Sequence, residues 1–503
     1  MKKLIEMKDI VKTFPGVTAI SNGKFDLIEG EIHSLIGENG AGKSSLMKIL
    51  YGLYPADSGT IIVKGKEFKD FSTKEIIDEK IGMVHQEFML VDDMTVLDNI
   101  ILGFEPRKSL NRIDFKKSEI IIKEYIDNYG LDIQLNKKVK DISVGEAQRV
   151  EIIKTLYRGA DILILDEPTA VLTPQETIKL FEILRKLKED NKSIVFISHK
   201  LNEVMDISDR ITIMRKSEYI TTVNKEDTSE RELAKLMVGR EVFLNIEHKE
   251  SNPGEDVLEI ESVYIPGDRE ISKIRGLSLN VKSGEVLGLA GIDGNGQAEL
   301  VEAITGLRKT EKGKIILEGK EISNLSTRKI RNLGVSLIPD DRNKRGLNRR
   351  FSIRENLIGL KYNNELSRGI FIDEKKSEEF SEKLVEDYDI RPRNVESSAE
   401  FLSGGNAQKI VVAREISSEG RLLIASQPTR GVDIGAIEMI RKKINEEKAK
   451  GKAILLISAD LEEILALSDR IAVIFEGKIT GELQVHEATE EKLGMLMAGG
   501  TVQ

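Results

Sequence analysis

Gly37-Glu38-Asn39-Gly40-Ala41-Gly42-Lys43-Ser44 sets three glycines, a lysine and a hydroxyl at the spacing of a loop that cradles a phosphate chain. Glycines let successive backbone N–H groups turn inward as an anion nest, and a following helix adds its dipole. Lys43 then supplies a point charge for the outer phosphates, the Ser44 hydroxyl a ligand for Mg²⁺, and Ser45 a further phosphate contact. Downstream, Ile162-Leu163-Ile164-Leu165-Asp166-Glu167-Pro168 runs from four apolar residues into two acids. A buried strand ending this way offers Asp166 to Mg²⁺ or its water shell, and Glu167 as general base for an attacking water. Gln86, after the run Ile81–Val84, is placed to reach the metal or that water. His199, after Ser193–Ser198, is placed to sense the terminal phosphate. Phe14, upstream of the loop, is a candidate to stack on adenine, with core packing as its competing role. Together these residues describe the hydrolysis of a nucleotide phosphoanhydride.

The elements that must position them alternate. Short β-branched runs at Glu31–Ile36, Ile81–Val84, Ile162–Leu165, Ser193–Ser198 and Arg210–Met214 predict strands. Longer segments of mixed charge and apolar spacing at Ser44–Leu53, Phe115–Tyr129, Glu146–Tyr157 and Pro174–Glu189 predict helices. Strands alternating with helices argue for an α/β fold with a largely parallel sheet covered on both faces.

The pattern occurs twice. The segment from Gly30, GEIHSLIGENGAGKSSLMKILYGL, reappears from Gly284 as GEVLGLAGIDGNGQAELVEAITGL. Asp141–Ala170 matches Phe401–Arg430, and the run from Ser193 matches that from Ala453. Order is kept and the offset moves only from 254 to 260 residues, which marks duplication of a whole domain and not a short repeat. The expected division is a first domain at 1–246, a polar linker at 247–256 holding Pro and Gly, and a second domain at 257–503.

Composition narrows the classes. With 76 Lys and Arg against 85 Asp and Glu, the net charge of −9 argues against a nucleic-acid coat, so no nucleic-acid partner is expected. The absence of cysteine removes disulfides, thiol catalysis and thiolate metal sites. The five histidines, His33, His85, His199, His248 and His486, show no metal-ligand spacing. The N-terminus has no apolar signal segment, and runs such as Ala453–Ala459 fall far short of the ~20 residues of a membrane span. A cytoplasmic chain is expected.

Leu402-Ser403-Gly404-Gly405-Asn406, followed by Ala407-Gln408-Lys409, closely resembles the LSGGQ signature of ATP-binding cassette (ABC) proteins. Ile142-Ser143-Val144-Gly145-Glu146 is its counterpart in the first half. With both phosphate loops, Gln86, Asp166-Glu167 and His199, the resemblance covers essentially the whole chain in two copies. It implies two tandem P-loop ATPase domains, each a mixed sheet core with a helical subdomain. It also implies head-to-tail pairing, with each ATP held between the phosphate loop of one cassette and the signature of the other.

The two halves are unequal under that pairing. In Gly291-Ile292-Asp293-Gly294-Asn295-Gly296-Gln297-Ala298, Gln297 stands for Lys43 and Ala298 for Ser44. Ser426-Gln427 replaces Asp166-Glu167, and Ala459 replaces His199. The second half instead keeps Ser403, Gly404, Gly405 and Asn406 (Asn for Gln), with Asp433 in the RGVD turn, where the first half has Thr173. One composite site therefore unites Gly37–Ser44, Gln86, Asp166, Glu167 and His199 with Ser403–Asn406 and Asp433. The other collects every loss: Gln297, Ala298, Ser426, Gln427 and Ala459, beside the retained Gly291 and Gly296, face a signature altered at Val144 and Glu146 that keeps Ser143 and Gly145. Random decay would scatter the losses between both. One hydrolytic and one degenerate site are expected, with Mg²⁺ accompanying ATP.

The PTRG run at Pro428–Gly431 and the IPDDRNKRGL run at Ile338–Leu347 look like fused ATPase subunits of simple-sugar and nucleoside importers. Gly82–Gly103 and Leu422–Ala436 look more like the nucleoside branch, with a monosaccharide importer as the alternative. The resemblance implies two membrane permease subunits and an extracellular substrate-binding lipoprotein as partners. It places the chain at the cytoplasmic face of the membrane. The segment between Gln86 and Ser143 should carry the helical subdomain that docks a permease loop. The rival is a soluble, non-transport ABC protein such as a ribosome-associated factor, against which the short seam and the stripped site argue.

Overall fold

Four runs rich in Val, Ile and Leu become strands covered on both faces, and every residue of Ile32–Ile36, Ile81–Val84, Ile162–Asp166 and Ser193–Ile197 is buried. A computed structural model describes residues 2–15, 17–108, 112–169, 172, 174–241, 253–267, 272–292, 294–363 and 365–500. The chain divides into two units, 1–242 and 243–503.

In the first unit one ten-stranded sheet runs Lys66–Phe68, Ser58–Val63, Lys3–Phe14, Val17–Ile28, Glu218–Asn224, Arg210–Arg215, Ile32–Ile36, Ser193–Ile197, Ile162–Asp166, Ile81–Val84. The last five are mutually parallel. The remaining pairings are antiparallel, apart from one parallel contact between Glu218 and Asn22. The sheet is thus mixed, as the family resemblance implied, and not largely parallel as the alternation of strands and helices alone suggested. The N-terminal hairpin escapes a periodicity reading because register shifts interrupt its pairing between Met7 and Ile10 and again up to Thr13.

The parallel register brings the functional segments level with one another. Asp166 pairs with Ile197, Leu35 with Ile197, and Val84 with Leu165, so the loops leaving these strands emerge at one edge. Ligands of parallel α/β sheets bind outside these carboxyl ends. The interior around them is closely packed, and replacing fully buried Ile164 with Ala costs about 2–5 kcal/mol.

Helix Lys43–Leu50 follows the glycine loop, while Phe115–Tyr129 starts at an Asp114 cap and stops at left-handed Gly130. Between Gln86 and Ser143, helices Val96–Ile101 and Phe115–Tyr129 pack on Val144–Tyr157. That last helix opens at Val144, two residues before the expected Glu146, because Ser143 caps it.

The second unit separates the same plan into two sheets. Ser272–Lys282, Asp256–Pro266, Lys312–Leu317 and Lys320–Glu321 form an antiparallel one. Val335–Ile338, Leu422–Ser426, Ala453–Ser458, Val286–Ala290 and Arg470–Phe475 form a parallel block, edged by Lys478–Gln484. Asp256, placed in the linker by the sequence, instead opens a strand: it pairs with Lys282 and accepts from Asn280 Nδ2 at 2.6 Å. Gly254 is already anchored through its N–H to the Ser283 carbonyl. Linker residues 247–252, with His248, lie outside the described residues, as do Thr173 and Asp293.

Candidate active site

The phosphate loop turns on two left-handed glycines, Gly40 at φ 83° and Gly42 at φ 95°. Space forces glycine at position 42 as well, since a Cβ there would lie 2.5 Å from the Ala19 carbonyl oxygen. Lys43 is buried and donates to the carbonyls of Gly37 at 2.7 Å and Glu38 at 3.1 Å, closing the loop around its own ammonium. Burial lowers its pKa, opposed by the charges of Glu167, Asp166 and Glu38.

Ser44 Oγ donates to Asp166 Oδ1 at 3.0 Å. These two oxygens meet across 122 residues of chain and form a hard donor pair of the kind that suits Mg²⁺. Burial raises the Asp166 pKa, partly offset by the Ser44 hydrogen bond. Glu167 sits in the left-handed region at φ 48°, a conformation that costs a non-glycine residue about 1 kcal/mol or more. The turn holds it there through its N–H to the Ile197 carbonyl at 3.0 Å. One carboxylate oxygen meets His199 Nδ1 at 3.1 Å, and the other accepts from Gln86 Nε2 at 3.3 Å. The His199 contact holds the Glu167 carboxyl below its usual range, against the opposing effect of burial. Gln86 therefore meets the acid and not the Ser44–Asp166 pair. Phe14 is 37% exposed and edge-on to Tyr54 at 5.5 Å, so it is a rim residue and not a core one.

The second unit keeps the scaffold and lacks these groups. Gly294 and Gly296 are left-handed at φ 92° and 113°. Gln297 Nε2 donates to the Ile292 carbonyl at 3.1 Å, as Lys43 does to Glu38, while Gln297 Oε1 is buried with no partner among the described residues. A Cβ on Gly291 would stand 2.5 Å from Gln297 Nε2. Ala298 offers no hydroxyl to Ser426, and Gln427 repeats the strained turn at φ 49° with an amide. Ala459 follows strand Ala453–Ser458 where His199 follows its own.

The two signature helices differ in the opposite sense. Ser403 caps Gly404–Ile416, and Asn406 Nδ2 donates to Ser403 Oγ at 3.0 Å while its Oδ1 accepts from the Arg391 N–H at 2.7 Å. Asp433 caps the next helix, accepting from the Ala436 N–H at 2.8 Å. A Cβ on Gly405 would lie 2.4 Å from Asp433 Oδ2. In the first unit Ser143 and Glu146 cap each other in a closed box, at 2.8 and 3.2 Å. Backbone bonding to Ser143 lowers the Glu146 pKa, so a carboxylate occupies this helix start. Gly145 lies against Glu176, whose Oε1 would be 2.1 Å from an added Cβ.

Sequence reading did not find Glu203, which is buried and accepts from Thr169 Oγ1 at 2.5 Å and Ser198 Oγ at 3.3 Å. It clamps the turn after Glu167 to the strand before His199. Glu463 repeats the contact with Thr429 at 2.7 Å, so the clamp is scaffold that both units share. Its signal was available: both glutamates recur at one offset, four residues beyond His199 and Ala459.

The family model for ABC transporter matches residues 20–170 and 274–430. The guanosine import ATP-binding protein NupO of Bacillus subtilis is 50% identical over 100% of this chain and 98% of its own. The nucleoside import ATP-binding protein NupA of Lactococcus lactis is 47% identical over 99% of each chain. The ribose import ATP-binding protein RbsA of Bacillus licheniformis is 41% identical, again over 99% of each. Among solved structures, RNase-L Inhibitor aligns with TM-score 0.65 at 17% identity over 98% of this chain and 93% of its own, a likeness of fold alone.

Proposed function

The chain belongs to the ABC transporter family, and from that membership we propose that it is the ATP-hydrolysing subunit of a nucleoside importer with one competent composite site. The observation that carries the hydrolytic reading is Glu167, held ionised between His199 and Gln86 beside the Ser44–Asp166 pair. Lys43 and the loop N–H groups bind the phosphate chain, and Phe14 offers its exposed ring to the base. Ser44 and Asp166 would hold Mg²⁺, which when bound draws charge from the phosphate oxygens, while Gln86 stays on Glu167. A water aligned by Glu167 attacks the terminal phosphorus. As the new P–O bond forms, the bond to the β-phosphate oxygen breaks, ADP leaves, and the water's proton passes to the Glu167 carboxylate. His199 fixes that carboxylate and faces the terminal phosphate.

The signature of the second unit, Ser403–Asn406 with Asp433, completes the site from the far side of the nucleotide in the head-to-tail pairing. The sorting of substitutions supports this pairing, because the unit with the intact phosphate loop carries the altered signature and the other the reverse. Closure on ATP and reopening after hydrolysis would drive two permease subunits, fed by an extracellular binding protein, from the cytoplasmic face of the membrane. Among the described residues no helix is long and apolar enough to cross a membrane.

Nucleosides are favoured over monosaccharides by the guanosine and nucleoside import relatives, whose identity to this chain exceeds that of the ribose relative. Reconstitution of the chain with its permease and binding protein in vesicles tests this reading. Guanosine should stimulate ATP hydrolysis and accumulate, while ribose should do neither; the reverse pattern transfers the assignment to the sugar branch.

A further inference from the structure

One side chain of the second unit joins three segments that the hydrolytic site needs in register. Strand Val335–Ile338 is followed by a π-helical turn, Arg342–Gly346, capped by Asp341 through the N–H groups of Asn343 at 2.9 Å and Lys344 at 3.1 Å. The far end of the turn is pinned where Arg345 meets Glu302, which also accepts from Arg308 Nε at 2.6 Å. From the near end the Arg342 guanidinium reaches the RGVD turn, donating from Nη1 to the Arg430 carbonyl at 2.8 Å and from Nη2 to the Gly431 carbonyl at 3.3 Å. The same Nη2 lies against the signature: a Cβ on Gly404 would stand 2.7 Å from it and 3.1 Å from the Gly431 oxygen.

We propose that Arg342 is the positioning residue that holds the Ser403–Gly405 signature and the Asp433 turn in the geometry required by the hydrolytic site. This rests on the composite-site reading given above. A planar fork is suited to the task, because it binds two successive carbonyls while presenting a flat edge to a glycine helix start. The distribution of the group agrees with the role. At the offset of 254 residues that relates the two strands, the first unit has Phe88, so the cation occurs in the unit whose signature is intact. Gly404 is explained by the same packing, since any larger residue would displace the guanidinium from the Gly431 carbonyl.

The test uses the full-length chain with three substitutions, Arg342→Ala, Arg342→Lys and Ser403→Ala. Phosphate release, equilibrium binding of a fluorescent ATP analogue and thermal unfolding are measured for each. Arg342→Ala should lower kcat about ten- to hundred-fold, the cost of a small misplacement of a site element, while ATP affinity and unfolding temperature stay near those of the parent. Arg342→Lys should recover part of the rate, because an ammonium can satisfy one carbonyl at a time. An unchanged kcat in Arg342→Ala, with Ser403→Ala slowed, overturns this inference and leaves the composite site standing. Loss of rate in step with affinity and unfolding temperature also overturns it, by showing a purely structural role. A Ser403→Ala chain with the parent rate overturns the composite-site reading and this inference with it.

Discussion

Glu167 and Gln427 occupy matching turns at φ 48° and 49°, each with its N–H on the carbonyl of the neighbouring strand, yet only one carries an acid. Backbone geometry is therefore not what separates the two halves; the side-chain terminus is. Glu167→Gln preserves the shape and the Gln86 and His199 contacts in outline but removes the proton acceptor. It should lower hydrolysis ~10²-fold or more while ATP binding persists, measured by phosphate release beside equilibrium nucleotide binding. Gln427→Ala should leave the rate near that of the parent in the same assays. Glu167 and Asp166 were readable in sequence because an apolar strand ending in two acids is a local pattern. That the Gln86 amide engages Glu167 was not, since 81 residues separate them and the sheet alone brings them together.

At the scale of elements, the clamp between the acid turn and the next strand is preserved in both units, and in the second it has a pH signature. Glu463 is wholly buried, and desolvation pushes its carboxyl from 4.5 up to about 7, against hydrogen bonds from Thr429 and Ser458. Below pH 4.5 folded and unfolded chains both hold the proton. Between 4.5 and about 7 the unfolded chain releases it while the fold retains it, so stability from this group is present in acid and lost as pH rises. The full window is worth on the order of 3 kcal/mol. Glu463→Gln should remove that component, and urea melts of the variant at pH about 5 and about 8 should differ less than those of the parent. The strand and helix periods of the parallel block were legible, but the antiparallel hairpin Lys3–Phe14 and Val17–Ile28 was not. Its bulges break the alternation on which such a reading depends.

For the whole molecule, the unequal units predict a count. Rapid mixing with labelled ATP should show one nucleotide hydrolysed per chain in a single turnover, with any second nucleotide released unchanged. Two hydrolysed per chain would refute the division into one competent and one degenerate site. Sequence by itself determined the duplication, the residue types in each phosphate loop and the sorting of substitutions, because these depend on residue type at short or repeated spacing. Tertiary structure alone decided that Ser44 meets Asp166, that Glu167 is held from both sides by His199 and Gln86, and that Glu203 and Glu463 brace the turns. It alone placed Arg342 against the signature and the RGVD turn, 88 and 89 residues from the carbonyls it binds. Parallel strands bring distant segments level at one sheet edge, and no local period in a chain encodes which loops will share that edge.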